Sequence, residues 1–132
     1  MSLLLDSENR YIPTLLALYQ AAHAPGAQDA EALSFWQHLF SKHVFKEEYF
    51  ICDAEMRPAP GDRRRIDRSV RYLSTGNEII VLCWHEAKGG STPSAIMECE
   101  SQALDACKRA IISHPWQPMI YAFTTTKTSG KA

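Results

Sequence analysis

An α/β domain, with a mixed central sheet flanked by helices, is what this chain of 132 residues predicts. Three observations carry that expectation. Segments of helical and strand period follow in the order helix, helix, strand, strand, strand, helix, strand. The run EIIVLCWHEAK (78–88) is nearly continuous in apolar residues, as a strand covered on both faces is. The stretch from that run through a long helix to the last strand is long enough for a crossover connection.

The elements follow in order. Residues 8–23 read as a helix, with Pro13 in the first turn, where a missing N–H costs little. Ala24-Pro25-Gly26 ends it. Asp29 is the expected N-cap of a second helix over about 30–43, which buries Leu33, Trp36, Leu39 and Phe40. Residues 49–52 are a short apolar strand, and 57–62 a turn rich in Pro and Gly. In 63–73, Ile66, Arg68, Val70 and Tyr72 alternate with Asp67, Ser69, Arg71 and Leu73, which predicts a strand with charge on both faces. Residues 74–77 are a turn before the 78–88 strand. After the loop 89–94 comes a helix over about 95–113, with Ile96, Ala103, Leu104, Cys107 and Ile111 as its apolar stripe. His114-Pro115 stops it. Residues 119–123 form the last strand, and the polar tail after Thr126 is expected to fray. The chain reads as one domain: a helical extension over 1–29, a core over 30–124 and a tail over 125–132.

Composition narrows the function classes. At this length roughly two-thirds of the unfolded surface can be buried, so one core forms without staples. The formal net charge is −1, so nucleic acid could be held only through a local basic patch. Cys52, Cys83, Cys99 and Cys107 form no C-x-x-C pair and fit no zinc spacing, and they read as reduced thiols. No leader-like segment and no apolar run near ~20 residues occurs. The expected setting is intracellular, cytoplasmic or nuclear, with no membrane partner.

Glu86-Ala87-Lys88 ends the most apolar strand, and charges there need a reason. Positions 86 and 88 point to the same side of a sheet. A tight hairpin over 74–77 would pair residue 73 with 78 and residue 67 with 84. Asp67 then shares a face with Trp84, Glu86 and Lys88, whereas a shift of one residue sends it to the other face. Two carboxylates and an ammonium on one face suit a hard cation such as Mg²⁺, which takes one or two carboxylates plus water and phosphate oxygens. The same three residues also make an ordinary cross-strand ion pair, which contributes little, and spacing alone favours that.

The pattern resembles the PD-(D/E)XK nuclease superfamily, whose restriction endonuclease-like core runs αβββαβ. The resemblance covers about residues 30–124. Asp67 resembles the aspartate near the start of the second core strand, and Glu86 and Lys88 resemble the E-x-K that ends the third. Glu31 matches the glutamate of the first core helix, with Glu47 and Glu48 as alternatives, and Gln102 matches the site-facing glutamine of the second. Ile66 stands where the family has proline before the aspartate. The EAK, the Gln-bearing helix and a Y-A-x-T-T strand are similar to small fungal members, many of which have no established activity. The resemblance implies a Mg²⁺- or Mn²⁺-dependent nuclease acting on DNA or RNA. Asp67, Glu86 and the Ala87 carbonyl would hold metal, Lys88 would orient water, and Gln102 and Glu31 would assist. It also implies homodimers, for which the apolar face of helix 8–23 offers a surface.

Arg57, Arg63, Arg64, Arg65, Arg68 and Arg71 cluster beside Asp67. They read equally as phosphate contacts or as a solvated edge strand protected by charge. His85 alternates away from Glu86, and His23, His38 and His43 lack a partner set. Trp36, Trp84 and Trp116 read as core or rim, with Trp84 on the Glu86 face. Two other function classes stay open. One is an inactive nuclease-fold domain that binds nucleic acid or protein. The other is an unrelated α/β interaction module, marked by Asp67 and Glu86 on opposite faces.

Overall fold

A computed structural model describes residues 3–63, 65–90 and 92–132. The elements are α1 (Pro13–His23), α2 (Asp29–Leu39) running on into a π-helical turn (Phe40–Val44), β1 (Phe50–Met56), β2 (Ile66–Leu73), β3 (Ile79–Lys88), α3 (Pro93–Ser113), β4 (Tyr121–Thr126) and β5 (Ser129–Lys131). The strands form one sheet in the order β1-β2-β3-β4-β5. Only β3–β4, joined through α3, is parallel, so the described sheet is mixed, as the order of periods predicts.

Several boundaries differ from expectation for local reasons. The first helix begins at Pro13, not at residue 8. Asp6 closes the preceding loop by accepting the amides of Glu8 and Arg10, with Asn9 at φ 59°. Gln28, not Asp29, caps α2. The Glu31 carboxylate accepts the Gln28 amide at 2.8 Å, the reciprocal half of a capping box. The tail is not frayed. It turns at Lys127, φ 51°, and pairs with β4 as β5. Main-chain pairing needs no apolar residue, so hydrophobic periodicity gives no sign of it. The Trp36 indole then donates to the Lys127 carbonyl at 2.8 Å, tying α2 to this hairpin.

Two cores lie on the two sides of the sheet. On one, Leu15 of α1 and Phe35, Trp36, Leu39 and Phe40 of the α2 segment pack on Val70 and Cys83. On the other, Ala106, Cys107 and Ala110 of α3 pack on Ile66 and Trp84. The buried face of α3 is Cys99, Ala103, Ala106, Cys107 and Ala110. Ile96, Leu104 and Ile111, expected to be buried, are exposed. Small side chains let a helix lie close to a sheet, whereas a periodicity argument is drawn to the bulky ones.

His85 is fully buried among Trp36, Phe40 and Phe123, with ring centroids 5.4–6.0 Å away, and its Nε2 bonds the Thr125 hydroxyl at 2.8 Å. Burial, with the nearby Arg68 charge, pushes its pKa down from 6.5 to about 3. Above pH 6.5 the folded and unfolded chains both hold it neutral. Between 6.5 and about 3 only the unfolded chain takes the proton, so stability falls as pH falls, by up to about 1.4 kcal/mol per unit. Urea unfolding at pH 7 and pH 5 is expected to show a smaller drop for His85→Phe than for wild type. Equal drops would remove His85 from the account.

Candidate active site

The position of Asp67 depends on the β2–β3 register. The turn is one residue longer than a tight hairpin, with Ser74 N–H bonded to Glu78 O and Asn77 at φ 61°, so Leu73 pairs with Ile79. That shift alone would turn Asp67 to the wrong face. A bulge then intervenes: Arg71 pairs with Val81 but Val70 with Cys83, leaving Leu82 as the extra residue. Leu82 and Cys83 accordingly both pack against the α1–α2 core. Parity is restored, Ser69 meets Trp84 and Arg68 meets His85. One step further the register sets Asp67 level with Glu86. The expected pairings 73–78 and 67–84 are therefore both replaced, yet the expected common face survives.

Asp67 Oδ2 accepts the Ala87 amide at 2.9 Å, which ties the carboxylate to the end of β3. Glu86 is buried, 3% exposed. Lys88 Nζ stands 3.9 Å from Glu98 Oε1 of α3, and that same oxygen accepts Gln102 Nε2 at 2.9 Å. Gln102 thus reaches the site through Glu98, one turn earlier on α3. Cys99 lies beneath, its thiol donating to the Glu86 carbonyl at 3.1 Å. Burial raises that thiol to about 11 against the opposing hydrogen bond to the Thr125 carbonyl, with Glu86 and Asp67 acting upward and Lys88 downward. All three charges therefore act at one point under α3. The buried Cys99 side chain lies beneath these charges.

The N-terminus of α2 closes the site from the other side. Asp29 Oδ1 accepts the Gly89 amide at 2.6 Å. Gly89 is glycine because a Cβ would lie 2.7 Å from the Gln28 carbonyl oxygen and 2.8 Å from the Asp29 nitrogen. Glu31 sits one turn in from this contact, with one oxygen spent on the capping box. Glu47 and Glu48 are exposed beside Phe50, which pairs with Tyr72 at the opposite end of the sheet. The structure does not bring them to the site.

The arginines divide. Arg71 is half-buried and pairs with Asp53 at 2.5 Å, and Arg68 donates to the Asp67 carbonyl at 2.9 Å, so both are engaged within the sheet. Arg57 and Arg63 are exposed, and Arg65 makes an exposed pair with Glu55 at 3.5 Å. Arg64 lies outside the described residues. Arg57 and Arg65 border a cleft of about 550 Å³ whose apolar wall includes Met56, Trp84 and Trp116. Trp84 is two positions before Glu86 on β3, but Asp67, Glu86 and Lys88 do not line this cleft, which extends toward Ile79, Val81 and the C-terminal end of α3.

Among the described residues no group of three or more His, Cys, Asp or Glu side chains is arranged to hold a metal ion. What the site offers is two carboxylates, backbone oxygens and an ammonium. No described helix is long and apolar enough to cross a membrane. Comparisons with protein families, curated proteins and solved structures return no match to this chain. What defines it is therefore its own geometry: an α/β domain with a five-stranded mixed sheet and an acidic-basic cluster beneath α3.

Proposed function

We propose that the chain is a divalent-cation-dependent phosphodiesterase acting on nucleic acid, in the arrangement of the PD-(D/E)XK nucleases. The observation that carries this reading is Asp67 level with Glu86 on neighbouring strands, with Lys88 two residues on, all facing α3. The succession α2-β1-β2-β3-α3-β4 agrees with the αβββαβ order that the resemblance implies.

The residues fit Mg²⁺ or Mn²⁺ better than a softer metal. Two carboxylates suffice for a hard ion that keeps several waters and takes substrate phosphate oxygens as further ligands. Asp67, Glu86 and the Ala87 carbonyl would hold it. The ion would supply a bound water of lowered pKa and offset charge on the phosphate. Ala87 N–H orients Asp67, leaving its second oxygen free of hydrogen bonds among the described residues. Lys88, held beside the carboxylates by Glu98, orients the attacking water and neutralises the scissile phosphate. Gln102 steadies Glu98, and Glu31 holds the α2 end that abuts Gly89. Arg57 and Arg65 along the cleft, with the exposed Arg63 beside Asp62, contact the nucleic-acid backbone.

One observation favours a second reading, an inactive domain that binds nucleic acid or protein. Asp67 and Lys88 already have partners within the chain. Calorimetric titration of Mn²⁺ and Mg²⁺, followed by cleavage assays on single- and double-stranded DNA and RNA with and without chelator, separates the two. Metal binding with chelator-sensitive cleavage is the expected outcome. Metal-independent binding with no turnover on any substrate would replace the first reading by the second. In either case Arg57→Ala with Arg65→Ala is expected to lower the salt slope of nucleic-acid binding by about one unit per arginine. An unchanged slope would move the strand out of this cleft.

A further inference from the structure

We propose that the outer face of α3 is a two-fold interface, on which a second copy of this chain packs its own α3 antiparallel with Leu104 at the axis. The face is apolar and uncovered: Met97 is 71% exposed, Leu104 52%, Ile111 41% and Ile112 80%. Its buried side already rests on the sheet through alanines and cysteines, so these larger residues have no role in the chain's own core. A row of large exposed apolar side chains along one helix marks an interaction surface. By contrast α1, whose apolar face was the expected dimer surface, buries Leu15 and Ala22 and half-buries Leu16, Leu18 and Tyr19.

The order of residues on α3 indicates what covers it. Met97 and Ile111 stand seven residues to either side of Leu104, Ile96 and Ile112 eight, and Glu100 and Lys108 four. Seven residues are close to two helical turns, so Met97, Leu104 and Ile111 form one line along the helix. An antiparallel copy with its axis at Leu104 sets Leu104 on Leu104, Met97 on the other copy's Ile111, and Glu100 level with its Lys108. Charge and apolarity are thus self-complementary, which is the requirement of an isologous interface. Lys108 is exposed and has no ion pair among the described residues. Glu100 holds Lys131 at 3.0 Å across an exposed surface, a contact weak enough to be exchanged. A parallel copy would set Glu100 against Glu100, and a generic apolar partner would not require the matched charges.

Sedimentation velocity over a concentration series tests this on the full chain. Wild type is expected to dimerise. Leu104→Asp is expected to weaken the dimer by at least ~100-fold, placing two carboxylates at the axis, and circular dichroism is expected to stay unchanged because the position is exposed. Lys108→Glu alone is expected to weaken it about tenfold, and Glu100→Lys with Lys108→Glu to restore it. A wild type that stays monomeric up to its solubility limit overturns the proposal, as does a Leu104→Asp variant that still dimerises. Failure of the charge swap to rescue overturns the antiparallel register.

Discussion

Glu86→Gln is expected to lower metal-dependent cleavage by at least about 10²-fold while the protein stays folded. The substitution keeps the shape of a side chain that is 3% exposed at the end of β3 and removes its charge. A neutral amide is a poor ligand for a hard cation, so Mn²⁺ binding is expected to fall with activity. Asp67→Asn is expected to act in the same direction, since the amide oxygen can still accept the Ala87 N–H that positions it. Steady-state cleavage rates and calorimetry on the same preparations check this. A Glu86→Gln protein that cleaves at the wild-type rate removes Glu86 from the chemistry. One that loses cleavage only with its fold leaves a structural role for Glu86 and ends the catalytic one.

Gly89→Ala is expected to cost roughly 2–3 kcal/mol, at the upper end of overpacking effects. The added Cβ meets backbone and not a flexible side chain: the Gln28 carbonyl oxygen at 2.7 Å and the Asp29 nitrogen at 2.8 Å. To make room, the N-terminus of α2 must leave the end of β3, and the 2.6 Å bond from the Gly89 amide to Asp29 breaks with it. For a chain of this size a loss of that kind lowers the melting temperature by roughly 5–15 °C. Asp29→Ala removes the bond without the clash, so a smaller loss is expected. A Gly89→Ala melting point within a degree of wild type would show that α2 is free to move away. In that case Glu31 would no longer be held near the site, and its assisting role would fail with the contact.

Much of the fold was legible because hydrophobic period and breaker residues are local signals. The apolar run 78–88 is the central strand, its neighbours are β2 and β4, and α3 stops at His114 as expected, though it begins at Pro93 and not at residue 95. The candidate site was legible in the same sense, since Glu86 and Lys88 share a strand face whatever surrounds them. Asp67 was not. Its alignment with Glu86 comes from a longer turn and a bulge at Leu82 that cancel in parity, and neither leaves a mark in alternation. The roles of Asp29 and Glu98 were hidden for a related reason. Each bonds a residue far along the chain, Gly89 for one and Lys88 for the other, and side-chain pairing between distant elements has no period.

Period likewise misjudged α3, choosing Ile96, Leu104 and Ile111 as the inner face where the chain buries cysteines and alanines. The sequence by itself determined the element types, their order and the charged end of β3, because each follows from side-chain spacing within one segment. Tertiary structure alone decided the β2–β3 register, the closure of the site by α2 and which side of α3 meets the sheet. Those depend on how closely two backbones can approach, and that distance is set by both partners at once.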